Sequence, residues 1–298
     1  MARMVPEMMA QQAYRSVASL VGSYFRNPKL RTVFSFHPLL IGGNPYSVSA
    51  IYCLVNYLER AWGVHFAMGG TGALIKGLVS LVEGQGNTLR LNADVAEILV
   101  EGRSATGVRL QNGEVIAADL VVSNADSTHT YKKLLPNLKR RRWTDRKIDR
   151  ARQSMGLFVW YFGTKRRYEN VAHHTMVLGP RYKGLLSDIF HKHKLADDFS
   201  LYLHRPTATD TSLAPEGCDA FYVLSPVPHL DSGTDWAAHA ETYRKAIAAR
   251  LSESILPGLE GEVISSRIMT PAEFQTELLA TKGAAFGLEP LISQTGYF

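Results

Sequence analysis

The chain has 298 residues, of which 46% are hydrophobic, and this length exceeds the size at which one hydrophobic core stops growing, so we expect a globular protein with two lobes. Its 33 basic and 27 acidic residues give a net charge of +6, which suits an anionic membrane surface or nucleic acid as a partner, or solubility alone. Two cysteines make neither a disulfide framework nor a zinc-ligand set, which favours the reducing cytoplasm.

The chain begins with helical periodicity. Apolar residues recur at intervals of three and four from Met8 to Tyr24, which predicts an amphipathic helix that packs on the protein or lies on a membrane surface. The dipeptide Asn27-Pro28 ends that helix. No apolar run reaches the 18 residues typical of a spanning helix, so none is expected.

A further helix is predicted in the stretch SVSAIYCLVNYLERAW, residues 47–62, with Ser47 as its cap. Up to residue 66, apolar residues occupy more than one face of the predicted helices. We therefore expect its helices to be buried on several sides.

A glycine-rich loop, MGGTGALIKGL, follows at residues 68–78. Its glycines precede a run with helical spacing, so the loop is interpreted either as a phosphate-binding helix N-terminus or as a tight turn before a packed helix. Neither standard motif fits, since the G-x-G-x-x-G pattern read from Gly70 ends at Ile75 and the P-loop pattern read from Gly72 has Leu78 at the lysine position.

Residues 87–126 have extended runs. The sequence Gln111-Asn112-Gly113 between two alternating segments predicts a β-hairpin. The run ADLVVSNA that follows is continuously apolar, which predicts a strand buried on both faces.

A basic stretch occupies residues 139–152. We interpret it as a solvated face or as a patch that binds anionic lipid headgroups. Nucleic acid is not expected, because only Trp143 could stack on a base.

Short β-rich runs follow in the second half and predict a mixed or antiparallel sheet. The runs are LFVWYFG at 157–163, HTMVLG at 174–179, FSLYLHR at 199–205, AFYVLSPVP at 220–228 and EVISSRIM at 262–269. An amphipathic helix capped near Asp235 interrupts them.

The sequence contains few side chains that suggest catalysis or metal binding. The adjacent His173 and His174 are expected to point apart on a strand, and His191 and His193 have no partner ligand at metal spacing, so no metal site is predicted. Acidic residues in polar loops are explained by capping as well as by acid–base work. The 13 Tyr, 12 Phe and 4 Trp form either an ordinary core or a site for a hydrophobic ligand whose reaction depends on a cofactor.

Five long blocks are distinctive in combination: FSFHPLLIGGNP, SVSAIYCLVNYLERAWGVHFAMGGTGALIKGL, DLVVSNAD, FSLYLHRP and AAFGLEPLISQTGYF. Together they resemble the bacterial-type phytoene desaturases, flavin-dependent carotenoid desaturases related to the amine oxidases. The resemblance extends from about residue 10 to residue 298. It implies an α/β (α+β) fold, with part of a Rossmann-type FAD-binding lobe and a substrate lobe of helices and mixed sheet.

By this resemblance, residues 1–66 are the helical part of the substrate or membrane lobe and 67–126 part of the FAD lobe. Residues 127–285 form the substrate domain, and 286–298 return toward the FAD lobe. The family also has an N-terminal G-x-G-x-x-G unit and a C-terminal flavin segment, and neither motif occurs in these 298 residues.

The resemblance implies FAD as cofactor, with contacts from the glycine loop, a strand valine and a strand end: Gly69, Gly70, Gly72, Val95 and Asn124. Arg31 is the catalytic candidate, for stabilising charge in an apolar tunnel, with a surface ion pair as the alternative. Candidates for lining the tunnel, or for plain core, are Phe34, Phe36, His37 and Trp62.

The expected function is FAD-dependent desaturation of phytoene or a similar polyene, with hydride transfer to the flavin. A cytoplasmic location with peripheral membrane attachment follows from a lipid-dwelling substrate. The alternative is a non-catalytic remnant that binds a lipophile or a partner. The oligomeric state is left open.

Overall fold

The structure is a computed structural model that describes residues 5–294. Its α-helices are α1 Val5–Ala10, α2 Val17–Tyr24, α3 Pro28–Ser35, α4 Leu54–Trp62, α5 Gly70–Gly84, α6 Ser127–His129, α7 Asp145–Arg150, α8 Tyr182–Phe190, α9 Trp236–Ser254 and α10 Pro271–Leu278. Its strands are β1 Val95–Glu101, β2 Ser104–Leu110, β3 Val115–Ala117, β4 Gly156–Thr164, β5 His174–Val177, β6 Leu201–His204, β7 Asp219–Val227 and β8 Val263–Met269.

The five β-rich runs of the second half form one antiparallel sheet in the order β5-β6-β7-β4-β8. All five predicted strands are confirmed. The central pair β4–β7 stays in register from Gly156 opposite Val227 to Thr164 opposite Asp219. Alternation along the strands gives this sheet two distinct faces.

Helix α9 covers the first face. The Asp235 side chain caps it by accepting from the Ala238 amide, as predicted. Ile247 and Leu251 of α9 are fully buried in the same cluster as Trp160 of β4. Helix α8 covers part of the second face with Leu185 and Leu186, each under 3% exposed.

Residues 95–117 form a three-stranded antiparallel meander in the order β1-β2-β3. The predicted hairpin at Gln111-Asn112-Gly113 is confirmed between β2 and β3, and Gly113 has the positive φ of 88° that such a turn requires. The predicted buried strand after it is wrong. Leu120 and Val122 are 78% and 85% exposed, because no described strand pairs with this segment.

The helical part of the chain differs from prediction in two ways. The single helix expected from Met8 to Tyr24 is two helices, α1 and α2, since residues 11–16 form turns and a bridge between Ser16 and Ser49. Ser49 instead of Ser47 is the cap before residues 50–62, which start as a 3₁₀ turn and continue as α4. The break at Asn27 is confirmed, with the Asn27 side chain capping α3.

Helix α4 has no buried residue, although its sequence predicted burial on several sides. Its apolar side chains find no covering element among residues 5–294, and Trp62 is 67% exposed. The helical region therefore presents an apolar surface instead of burying one.

The last described segment returns to the first third of the chain. Ser47 donates to the fully buried Glu289 carboxylate at 2.9 Å, and Arg152 approaches its other oxygen at 2.9 Å. The Ser154 amide donates to the Gly287 carbonyl. The Ser47–Glu289 bond joins residues 242 apart in sequence.

The α/β class, with antiparallel sheets and helices, is confirmed. Among the helices described between residues 5 and 294, none combines the length and the apolar character needed to cross a bilayer. The division into four segments stays a prediction.

Candidate functional site: an aromatic face of the large sheet

The second face of the large sheet is lined by aromatic rings beyond the edge of α8. Strand alternation turns Phe158 and Trp160 toward α9 and leaves Tyr161 on the opposite face. Cross-strand pairing then places Tyr222 opposite both Tyr161 and His204. We call the following set the aromatic face: Tyr161, His174, Tyr202, His204 and Tyr222.

The rings of the aromatic face are in contact. The Tyr222 ring lies 5.8 Å from that of Tyr161, 5.9 Å from that of Tyr202 and 4.4 Å from that of His204, measured between centroids. The His174 and Tyr202 rings are stacked at 5.8 Å. Such centroid separations are typical of favourable aromatic packing, so the face is a continuous strip across β4, β7, β6 and β5.

His174, Tyr202, His204 and Tyr222 of the aromatic face favour their neutral forms. Burial, followed by the neighbouring His173 and His174, lowers the pKa of His204 to about 4. Burial also lowers the pKa of His174 and raises the pKa values of Tyr202 and Tyr222. Neutral imidazoles and phenols beside apolar rings suit an apolar ligand, since no ion must be desolvated when it binds.

His37 and Glu59 lie near this face. His37 Nε2 is 3.1 Å from Glu59 Oε2, and Glu59 is close enough to His174 to raise the pKa of that imidazole, against the larger effect of burial. His37 is 5% exposed, and its Nδ1 finds no hydrogen-bond partner within residues 5–294. Helix α4 thus brings a carboxylate toward the edge of the aromatic face.

The other predicted tunnel residues are dispersed. Phe36 is half-buried and stacks on His37 at 4.2 Å, close to the second face of the sheet. Phe34 is 39% exposed and stacks on Phe25 at 4.6 Å. Trp62 contacts Tyr57 edge-on at the exposed surface of α4. The structure therefore brings Phe36 and His37 together and leaves Phe34 and Trp62 apart.

Arg31 has structural partners. Its Nε donates to the Phe25 carbonyl at 2.6 Å and its Nη2 to the Gly22 carbonyl at 3.3 Å, both at the end of α2. Cations at a helix C-terminus satisfy its free carbonyls. The ion pair given as the alternative has no counterpart among the described carboxylates. A catalytic role for Arg31 stays a prediction.

The glycine loop is held by the chain itself. The Gly69 amide donates to Asp210 Oδ2 at 2.6 Å, and the Gly70 amide donates to the Ala67 carbonyl. Hydrogen bonds from Ser212 and from that Gly69 amide lower the pKa of the Asp210 carboxyl, which is therefore an anion at neutral pH. This carboxylate accepts the hydrogen bond that the Gly69 amide would otherwise donate to a phosphate, and its negative charge repels a phosphate. Gly72 has open space where a side chain would be.

Val95 and Asn124 flank the meander. Val95 is the half-buried first residue of β1 and pairs with Leu110. Asn124 is exposed and lies outside any strand, unlike the predicted strand end. Contact of either residue, or of the three loop glycines, with a flavin stays a prediction.

A groove of about 980 Å³ lies between β1 and residues 135–141. Its lining includes Glu97, Glu101 and Arg103, with Arg140 and Arg141 on the other side. Such a charged groove does not suit a hydrocarbon. The aromatic face, which has the required chemistry, is open instead of tunnel-shaped.

The expected separation of His173 and His174 is wrong. Both imidazoles converge with that of His204, so that ligand nitrogens of all three lie within 4.8 Å of one another. Strand β5 begins only at His174, so the alternation expected of two strand residues does not apply to His173.

Sequence reasoning also missed Tyr161, Tyr202 and Tyr222. The signal was present, because these tyrosines alternate with the most buried residues of strands β4, β6 and β7. An aromatic residue on the face opposite the core, repeated in neighbouring strands, indicates a ligand surface.

The architecture of this chain is a large antiparallel sheet with helices on both faces and a separate three-stranded meander. It is similar to the crystal structure of an oxidoreductase from Methanosarcina mazei, with a TM-score of 0.62 and 18% identity over 90% of this chain and 59% of that chain. This likeness concerns the fold.

The chain belongs to the flavin-containing amine oxidoreductase family, which it matches over residues 1–214. It is 49% identical to the neurosporene-forming phytoene desaturase of Cereibacter sphaeroides, over 99% of this chain and 58% of that protein. It is 45% identical to the lycopene-forming phytoene desaturase of Paracoccus sp., over 100% of this chain and 60% of that protein. The resemblance to phytoene desaturases is confirmed, and the chain spans about three fifths of these relatives.

Proposed function

We propose that this chain works, within a flavoprotein, in the FAD-dependent desaturation of phytoene or a similar long polyene. The observation that carries the proposal is the uncharged aromatic face, because a polyene offers no group for an ion to bind and is recognised by apolar and aromatic contact. The relatives named as phytoene desaturases support the substrate class. A bound flavin would supply the redox chemistry by accepting hydride from an allylic carbon.

The protein's own contribution is positioning. Rings on four adjacent strands present a strip along which an extended hydrocarbon can lie. Holding the reacting carbons in a fixed place accounts for a large part of the rate in such a reaction. Tyr161, at 42% exposed, is the accessible end of that strip.

The residues fit a flavin only in part. Val95 and the exposed apolar side chains of α5, such as Leu78 at 55%, can contact a flat aromatic ring. The Gly69 amide is not available to a pyrophosphate, since Asp210 accepts its hydrogen bond. We propose that anion-binding amides for FAD lie outside residues 69–72 and that Gly70, Gly72, Val95 and Asn124 contribute shape instead.

A chimera tests the desaturase proposal: residues 1–298 replace the matching segment of the Cereibacter sphaeroides relative. We expect the chimera to bind FAD and to convert phytoene in membranes into a coloured polyene. Tyr161→Lys should reduce turnover at least tenfold by placing an ammonium on the aromatic face, whereas Tyr161→Phe retains it.

Leu278→Lys is the matched control, since Leu278 is 57% exposed and lies at the end of α10. A chimera that retains FAD but forms no product, or a Tyr161→Lys variant with wild-type turnover, would contradict the proposal.

Arg31 is proposed to stabilise developing charge near the substrate, and its contacts with the end of α2 favour a capping role instead. Arg31→Gln separates the two in the chimera. If Arg31 is catalytic, Arg31→Gln lowers kcat and leaves the urea midpoint unchanged. If Arg31 caps α2, Arg31→Gln lowers the urea midpoint and leaves kcat unchanged.

The second candidate is a non-catalytic protein that binds a lipophile or a partner. The Gly69–Asp210 hydrogen bond favours it, because that bond removes an anion-binding amide. Absorbance discriminates the two. If the 298-residue chain shows no flavin bands after incubation with excess FAD but binds a polyene, the second candidate applies to the chain by itself.

Peripheral membrane attachment from the cytoplasm is also proposed. Helix α4 supports it better than α1, since Leu54, Tyr57, Leu58 and Trp62 share one exposed face at 37–67%. In the basic stretch, Arg140 is held by Asp145, and the neighbouring Lys139, Arg141 and Arg142 are exposed. Trp62→Ser should reduce sedimentation with phosphatidylglycerol vesicles, and unchanged sedimentation would rule out α4 as the contact.

A further inference from the structure

We propose that His173, His174 and His204 form a binding site for one divalent transition-metal ion of the zinc class. Ligand nitrogens of the three imidazoles lie within 4.8 Å of one another. His173 Nε2 and His204 Nε2 face each other at 2.8 Å. Two nitrogens bound to one tetrahedral zinc stand about 3.3 Å apart, given Zn–N bonds of about 2.0–2.1 Å, so a small separation of the rings admits the ion.

The backbone fixes these positions. His174 and His204 are directly paired across β5 and β6, which turns both side chains to the same face of the sheet. The Arg205 amide donates to the His173 carbonyl at 2.8 Å and holds the residue before β5 against β6. Arg205 is itself anchored by a buried ion pair with Asp219. The cluster therefore stands on rigid elements, as a metal site requires.

Two of the rings are already oriented by an outer hydrogen bond. His173 Nδ1 lies 2.5 Å from Thr209 Oγ1, and His174 Nδ1 lies 2.7 Å from the Tyr202 hydroxyl. Each contact occupies Nδ1 and turns Nε2 toward the cluster, which is the usual arrangement of metal-binding histidines, and an ion would replace the contact between His173 Nε2 and His204 Nε2. His204 Nδ1 is buried without a hydrogen-bond partner within residues 5–294.

The charge state suits a metal. The pKa of each of the three histidines is lowered, chiefly by burial, and the mutual proximity of the imidazoles adds to the effect for His173 and His204. Neutral imidazole is the form that ligates metal.

The surroundings define the ion further. The Glu59 carboxylate on α4 opposes the lowering of the His174 pKa, and the Phe66 ring lies 4.7 Å from the His173 ring and 5.9 Å from that of His204. Three imidazoles with a fourth position open to water or to Glu59 match zinc, nickel or copper, whereas magnesium and calcium require oxygen ligands. Because Thr209 precedes Asp210, which holds Gly69, the ion would tie the sheet edge to the glycine loop.

The test is titration of the 298-residue chain with Co²⁺ and Zn²⁺, followed by calorimetry and by the visible absorption of bound Co²⁺. We expect one equivalent to bind and the thermal midpoint to rise. His174→Ala, which removes an exposed ligand and leaves the core intact, should weaken binding at least tenfold, as should His173→Ala.

The control is His239→Ala, because His239 is exposed on α9 and bonds only its own helix at Asp235. It should leave affinity unchanged. Absence of binding by the folded chain, or equal affinity in wild type, His173→Ala and His174→Ala, overturns the proposal. The readout involves neither flavin nor polyene. Because His174 and His204 also belong to the aromatic face, a bound ion would limit the uncharged surface offered to a polyene to Tyr161, Tyr202 and Tyr222.

Discussion

The buried ion pair between Arg205 and Asp219 predicts a large loss of stability on Asp219→Asn. Arg205 and Asp219 side chains are 3% and 0% exposed. The carboxylate accepts from Arg205 Nε at 2.9 Å, Arg205 Nη2 at 3.1 Å, Thr207 Oγ1 at 2.7 Å and the Tyr168 amide at 2.7 Å. Every hydrogen-bonding direction of the carboxylate is thus in use.

Asparagine has the same size but lacks the charge, and its NH₂ group faces donors. The Arg205 guanidinium would remain buried without a counter-ion, which costs about 3–5 kcal/mol of unfolding free energy. A domain is stabilised by about 5–15 kcal/mol in total. We therefore expect urea unfolding to show a much lower midpoint for Asp219→Asn, with an unchanged slope.

Two further variants isolate the cause. Glu114→Gln disrupts an equally bidentate pair with Arg90, at 2.8 and 2.9 Å, whose side chains are 43% and 47% exposed, and its midpoint should change far less. Adding Arg205→Met to Asp219→Asn removes the unpaired charge and should recover part of the loss. A loss below about 1 kcal/mol for Asp219→Asn, or no recovery in the double variant, would refute the reasoning.

Other predictions concern pH, a turn and a helix cap. Burial lowers the pKa values of His204 and His229 from 6.5 to about 4 in the folded chain. Between these two pH values the unfolded chain therefore binds more protons than the folded chain, and stability falls as the pH falls. The urea midpoint should be constant above pH 6.5 and decrease toward pH 4, and equal midpoints at pH 7 and pH 5 would contradict this. Gly42→Ala should cost about 2 kcal/mol, since φ is +75° and the new Cβ would lie 2.6 Å from a side-chain carbon. Gly22→Ala lies in α2 where the new Cβ meets no atom, and it should instead raise the thermal midpoint. A change of the same sign for Gly42→Ala and Gly22→Ala would be inconsistent with the structure. Asp235→Ala removes the cap of α9 and should cost about 1 kcal/mol by urea unfolding; an unchanged midpoint would exclude the cap as a source of stability.

Local patterns were sufficient for the five strands and helix α9 of the second half of the chain, but not for α8 and α10. Strands β4 and β7 were predictable because each is a continuous apolar or alternating run of nine residues that pairs over its whole length. Helix α9 was predictable because a 3.6-residue period and the Asp235 cap coincide. These elements bury one another's apolar side chains, so local preference and tertiary packing agree.

Prediction failed where burial depends on a partner. The periodicity of α4 and the apolar run at 118–124 indicate which side chains could be buried. They do not indicate whether another described element covers those side chains. The histidine cluster joins His173 to His204, 31 residues further along the chain, and so depends on a strand pairing that no local pattern specifies. The Gly69–Asp210 bond joins residues 141 apart, beyond the range of any local pattern.

The tether at Glu289 has a consequence for biosynthesis. Because Ser47 and Arg152 both contact this one buried carboxylate, the helices near Ser47 cannot reach their final anchorage until residue 289 has been translated. Contacts of such long sequence separation form late and slowly. Nascent chains stalled before residue 289 should therefore bind chaperones through the helical segment more than chains released after it do, although α4 stays exposed in both.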